Sequence, residues 1–158
     1  MKLLNPSEYQ PEARAIFESI SAQLGRLLPR SRVEHVGASS IPGAVSKGDL
    51  DICVVVTADD HVSTVETLQA TGYLIKADTL RTAELCMLLA PRNDLDVALQ
   101  VVAEGSQFEF FMRFRDVLQA DALLVERYNE LKRKFAESGA GCYRDEKAKF
   151  IEAVLRTA

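Results

Sequence analysis

Asp49 and Asp51 open the run Leu50 to Val56, LDICVVV, and the turn Gly37-Ala38-Ser39-Ser40 lies about a dozen residues ahead of them. Carboxylates at i and i+2 on a strand project from one face, close enough to share or bridge divalent metals through hard oxygen ligands. The turn offers phosphate oxygens the backbone N–H groups of Gly37 to Ser40 and the hydroxyls of Ser39 and Ser40, at a helix start. Phosphoryl and nucleotidyl transfer need metal ions to neutralise a triphosphate and a cradle to hold it in line. Asp96, in a second D-x-D arrangement with Asp94, is the candidate third carboxylate from a neighbouring strand. The requirement is geometric: Asp49, Asp51 and Asp96 must converge within about 5 Å.

Each of these residues also has a structural use. Acidic residues at strand ends mostly sit solvated. Asp94 follows Asn93 and suits a turn, the role we favour for it. Ser39 or Ser40 would cap a short helix as readily as touch phosphate. His35, beside the turn, reads first as a hydrogen-bonded structural residue and second as a general base. His61, near a helix start among charged residues, is expected at the surface, and Lys132, Arg133 and Lys134 are expected to form the wet face of a helix. Local signatures of Ser-His-Asp or Cys-His catalysis, a P-loop and a dinucleotide G-x-G-x-x-G are all lacking.

The elements that would position these groups are legible. Apolar residues from Ala13 to Leu28 recur at helical spacing, with Pro11 suiting a first turn. Val33 to Val36 reads as a strand, and Gly37 to Gly43 as a turn punctuated by two glycines and a proline. Leu50 to Val56 is the central strand, buried on both faces. Asp59 or Asp60 would cap a helix that Gly72 ends, and Tyr73 to Ile75 is another short strand. Glu84 to Leu89 and Asp94 to Val102 form a hairpin through Ala90-Pro91-Arg92-Asn93. On the second of these strands Asp94, Asp96, Ala98 and Gln100 would share a face. Beyond Ser106 all is helical: Phe108 to Leu118, then Leu123 to Phe135 between an Asp121 cap and Gly139, then a last helix with Phe150, Ile151, Val154 and Leu155.

Composition fits one soluble domain spanning residues 1–158, with 47% hydrophobic and 27% charged residues. A net charge of -4 gives no strong nucleic-acid signal, since polyanion binding needs a basic face. Asn5-Pro6 interrupts the N-terminus before a secretory core can form, and no run nears the ~18 apolar residues of a membrane span. A cytoplasmic protein without membrane contact is expected. Cys53, Cys86 and Cys142 are odd in number and widely spaced, so neither a disulfide framework nor a zinc site is indicated; Cys53 and Cys86 read as small core residues.

The chain resembles the GrpB family, a branch of the nucleotidyltransferase superfamily. The family hallmark E-H-I-G-S-T-S-I-P-G-L-x-x-K-P-x-I-D-I is matched by Glu34-His35-Val36-Gly37-Ala38-Ser39-Ser40-Ile41-Pro42-Gly43-Ala44 and then Lys47-Gly48-Asp49-Leu50-Asp51-Ile52. Phe114-Arg115-Asp116-Val117-Leu118, Tyr128, Leu131-Lys132, Tyr143 and Lys147 extend the match over almost the whole chain. Ala38 stands where a serine is usual, Gly48-Asp49 where Pro and an apolar residue are usual, and Gln100 where H-L-H-V-V has a histidine; Asp96 is the candidate substitute for that histidine.

The resemblance implies an α/β (α+β) fold: a nucleotidyltransferase-like mixed β-sheet flanked by helices, with a C-terminal helical layer. It puts Asp49 and Asp51 at metal-ligand positions and makes Gly37, Lys47, Arg115, Tyr143 and Lys147 candidates for binding a phosphate or anionic substrate, although Arg115-Asp116 is equally a structural ion pair. The function expected first is nucleotidyl transfer from a nucleoside triphosphate to an unknown acceptor, with Mg²⁺ or Mn²⁺ held by Asp49, Asp51 and Asp96. The alternative is a non-catalytic nucleotide-binding or accessory module; GrpB-like domains fused to dephospho-CoA kinase suggest such a role near coenzyme A metabolism. A scaffold built on the C-terminal helices is a third, less favoured reading.

Overall fold

The LDICVVV run forms β2 (Leu50–Val56), in which every residue but Asp51 is buried. In the computed structural model, which describes residues 2–136 and 140–157 apart from the side chains of residues 140–142, this strand lies second in a five-stranded mixed sheet. The others are β1 (Arg32–Val36), β3 (Leu74–Ile75), β4 (Leu85–Leu89) and β5 (Val97–Ala103), in the order β1-β2-β5-β4-β3. Only β2 and β5 run parallel. These paired strands are covered on both faces, which explains their near-continuous apolar runs.

One face of β2 and β5, with Leu50, Ile52, Val54, Val97, Leu99 and Val101, packs under α1 (Pro6–Leu27) and α2 (His61–Ala70). The other, with Cys53, Val55 and Val102, packs under Phe108, in the 3₁₀ turn Gln107–Glu109, and Met112 of the following α3 (Phe110–Gln119). Then α4 (Ala122–Ala136) and α5 (Ala140–Thr157) join α3 around Ile41 and Ala44, so the C-terminal layer closes over the loop that enters β2. Full burial of a Leu or Ile such as Leu118 or Ile41 contributes roughly 1.5–3 kcal/mol. No helix among the described residues is long and apolar enough to cross a membrane.

Several expectations change. α1 starts before Pro11, because Asn5 caps it, Pro6 takes the first position and the Glu8 carboxylate accepts from Asn5 N at 2.9 Å. β5 begins at Val97, not Asp94: Arg92 grips the Asp94 carboxylate at 2.7 and 2.8 Å, and the chain from Ala90 to Asp96 is an irregular connection. Asp94 therefore has the turn role, and neither it nor Asp96 lies on the strand. His61 is buried, donating from Nε2 to the Val101 carbonyl at 3.0 Å, because the start of α2 packs against β5. Asp121 caps α4 as expected, accepting from Leu123 N and Leu124 N, but the Leu123 side chain is exposed. Cys53 and Cys86 are buried; the Cys142 side chain and Gly139 lie outside the described residues.

Candidate functional site

Gly37 carries the chain out of β1 with a φ of 73°, a conformation that suits glycine, and β1 pairs antiparallel with β2 so that Val36 lies opposite Asp51. A Cβ on Gly37 would stand 2.5 Å from Asp51 Oδ2. The missing side chain is what leaves room for the carboxylate. After the 3₁₀ turn Ala38–Ser40, the chain runs to Asp49, immediately ahead of β2.

That intervening loop is clamped from two sides. On one, Tyr9 Oη of α1 donates to Ala44 O at 2.8 Å and Gln10 Nε2 to Ile41 O at 2.8 Å. On the other, Asn129 Oδ1 of α4 accepts from Val45 N at 2.9 Å while its Nδ2 donates to Gly43 O at 2.9 Å. Lys132 Nζ donates to Val45 O at 2.6 Å and stands 4.2 Å from the centre of the Tyr128 ring. Leu4 adds a two-bond bridge to Ser46. Tyr128, Asn129 and Lys132 lie at spacings of one, three and four on a helix, hence on neighbouring parts of one face.

Between the loop, the sheet and the helical layer lies a cavity of about 520 Å³. Gly37, Ala38, Asp49 and Asp51 line its sheet side; Lys47, Lys132, Arg144 and Lys147 bring four cations to its wall, beside the Tyr128 and Tyr143 rings. Ser46 Oγ donates to Asp49 Oδ1 at 3.1 Å, and Lys47 Nζ lies 3.9 Å from Asp49 Oδ2. No hydrogen bond from the described residues reaches the Asp51 carboxylate. Burial first, and then the charge on Asp49, push Asp51 up to about 6, against the pull of Lys147, Lys47 and Lys132. Burial, then Lys147, push Lys132 down to about 7. Burial likewise raises the Tyr143 phenol to about 12.

The cavity thus collects Gly37, Lys47, Asp49, Asp51, Tyr143 and Lys147 from the sequence-derived set. It does not collect the rest. Leu50 N donates to Asp96 O at 2.9 Å, so the Asp96 backbone reaches β2, but its side chain is exposed and outside the lining. Among the described residues no three His, Cys, Asp or Glu side chains form a group able to hold a metal. Ser39 is buried with its hydroxyl 2.8 Å from His35 Nε2, and Ser40 Oγ donates to Gly37 O at 2.6 Å; neither lines the cavity. Arg115 donates to Glu34, His35 O and Asp116, as a structural ion pair would. His35 stacks on Phe17, and burial, with Arg14 and Arg115 nearby, lowers it to about 4, so at neutral pH it is an uncharged hydrogen-bonding group.

Lys132 departs furthest from the place its sequence neighbours suggest. It is buried, and it turns into the cavity while Arg133 and Lys134 face solvent. The sequence does hold the signal: successive helical residues diverge by about 100°, so three adjacent lysines and arginines cannot share one wet face. Asn129 belongs to no motif, yet a polar residue between Tyr128 and Lys132 on a packed face has to find buried partners.

The family model described as GrpB protein matches residues 5–157. The chain belongs to the GrpB family. A UPF0157 protein of Vibrio cholerae serotype O1 is 46% identical over 158 residues, covering all of this chain and 84% of that protein. A UPF0157 protein of Halalkalibacterium halodurans is 30% identical over 158 residues, covering 96% and 80%. The crystal structure of the conserved protein GrpB from Enterococcus faecalis superposes with a TM-score of 0.78 at 19% identity, over 99% of this chain and 98% of that one. The MgGTP-bound structure of the Cid1 poly(U) polymerase gives 0.57 at 19% identity, over 81% of this GrpB chain but 42% of the polymerase. These likenesses establish a nucleotidyltransferase-like fold.

Proposed function

We propose that the cavity binds a nucleoside triphosphate together with a divalent cation, Mg²⁺ or Mn²⁺. The observation that carries this reading is the convergence of Asp49 and Asp51 with Lys47, Lys132, Arg144 and Lys147 on one cavity. A bare triphosphate would be repelled by the two carboxylates; a metal-neutralised one suits both the acidic and the basic groups. The residues fit a cation. Among the described residues no donor reaches the Asp51 carboxylate, which occupies the space a Cβ on Gly37 would fill; burial and then the charge on Asp49 raise its pKa, and a shared cation relieves the repulsion between the two. When bound, the ion would neutralise phosphate oxygens held at Asp49 and Asp51. The four cations would hold the remaining phosphate charge, and Tyr143 and Phe135 offer apolar surface to the rest of the nucleotide.

Binding without turnover is favoured, because Asp96 stands outside the cavity and no three-carboxylate site is assembled among the described residues. It suits an accessory module. Nucleotidyl transfer to an acceptor is the second reading, and the fold shared with a nucleotide-bound polymerase supports it. The two separate in one experiment: incubation with Mg²⁺ or Mn²⁺ and a panel of α-labelled nucleoside triphosphates, native chain beside Asp51→Ala. Metal-dependent retention of label that Asp51→Ala abolishes supports binding, and label appearing on a third molecule supports transfer. No metal-dependent retention of any nucleotide would sink both.

A further inference from the structure

On the reading that Asp49 and Asp51 hold a divalent cation, we infer that the cavity takes one such ion and not a pair, because the sheet position that would complete a three-carboxylate set belongs to Ala98. β2 and β5 are parallel with Asp51 in register with Ala98. Neighbouring strands lie about 4.8 Å apart, and residues in register project from the same face. Ala98 is therefore the nearest β5 side chain to the Asp51 carboxylate, and its methyl group ligates nothing.

The rest of that row supplies no substitute. On the far side of Asp51 the partner is Val36; beyond Ala98 come Leu89 of β4 and Leu74 of β3. Across the five strands, Asp51 is the only polar member. Gln100 is on the same face as Ala98 but pairs with Cys53, one step farther from the cavity. Asp96 precedes the ladder and points to solvent. Ala98 is itself buried, at 7% exposed. Phe108 and Met112 cover Cys53, Val55, Leu85 and Val102 farther along this face, whereas Leu89, the other register partner of Ala98, is 37% exposed.

Two-metal sites stabilise both the attacking and the leaving oxygen of an in-line displacement. A chain with carboxylates for one ion keeps the half that neutralises bound phosphate and lacks the half that activates an acceptor. The GrpB chain is then built to hold a metal–triphosphate, and any transfer would need acceptor activation from elsewhere.

Direct Mn²⁺ titration, reading free ion by electron paramagnetic resonance, tests this without reference to activity. The native chain is expected to bind one Mn²⁺, and Asp51→Asn to lose it. Asp96→Asn should keep it within about twofold, whereas loss of a true ligand or its support changes affinity by about 10–100-fold. Ala98→Asp, checked for native circular dichroism, should take a second Mn²⁺ or bind the first at least about tenfold more tightly. Two Mn²⁺ per native chain, or a marked weakening in Asp96→Asn, overturns the inference, as does a folded Ala98→Asp that binds like the native chain. Should Ala98→Asp fail to fold, the native stoichiometry and Asp96→Asn still decide. No Mn²⁺ bound by the native chain overturns the underlying metal–triphosphate reading instead.

Discussion

Lys132 Nζ donates to the Val45 carbonyl at 2.6 Å, so a helix in the C-terminal layer holds the loop that delivers Asp49 to the cavity. The same ammonium is one of the four cations on the cavity wall. Lys132→Met removes the cost of burying an ammonium but leaves the Val45 carbonyl without its donor, a loss of about 1–3 kcal/mol. It is therefore expected to lower unfolding free energy by about 1–2 kcal/mol and to weaken inorganic triphosphate binding about tenfold, or ~1.4 kcal/mol. Thermal melts and calorimetric titration check the two halves; lost stability with unchanged affinity would leave Lys132 only its tie to the loop.

The pH dependence follows from the two displaced groups. Asp51 is raised to about 6, so its ionised form opposes folding: the penalty is absent below the ordinary carboxylate range near ~4, grows as pH rises, and is complete above about 6. Asp51→Asn should be more stable than the native chain at about pH 8, by ~1–2 kcal/mol or about 2–6 °C, with the gap closing toward about pH 4. Lys132 is lowered to about 7, so the cost of its buried ammonium is complete below about 7 and fades as pH rises toward ~10.4. Metal–triphosphate binding wants Asp51 ionised and Lys132 protonated. Affinity measured across pH should peak between about 6 and 7 and fall on both sides.

Gly37→Ala meets two obstacles, a φ of 73° and the Asp51 carboxylate 2.5 Å from the new carbon. With ψ at -177° this is an extended positive-φ conformation that costs a side-chain-bearing residue about 1–3 kcal/mol. A displaced Asp51 should also weaken Mn²⁺ binding about tenfold. Retained Mn²⁺ affinity in a folded Gly37→Ala chain would mean that the turn does not set the carboxylate's position.

Ser39 offers the contrasting case. Its hydroxyl is spent on His35, so Ser39→Ala should cost about 0.5–1.5 kcal/mol of stability and leave triphosphate affinity unchanged. An affinity loss comparable to that of Lys132→Met would restore Ser39 to the phosphate cradle.

Much of this architecture is legible in the order of the residues. The bounds of β2 follow from its composition, because an uninterrupted apolar run has few alternatives to a doubly covered strand. The Gly37 turn and the Asp49–Asp51 pair stand out because close approach and paired charge leave marks on residue type. Distance information is what the order of residues lacks. Alternation carries the hairpin strand back to Asp94, but the Arg92 guanidinium takes that carboxylate into a local loop, and no periodicity encodes where a ladder stops. Charged neighbours suggest a surface position for His61, while its actual surroundings come from β5, about forty residues away. The basic neighbours of Lys132 point it toward water, whereas its partners in space are the Tyr128 ring, one turn back on its own helix face, and the Val45 carbonyl, 87 positions away.

The Val45 amide hydrogen is sealed by Asn129, a residue 84 positions away on another element. Its exchange with deuterium is therefore a clock for the parting of the helical layer from the sheet. A ligand that spans from Asp49 to Lys147 bridges the two sides of that seam and should slow the clock, whatever its base and whether or not it is ever turned over.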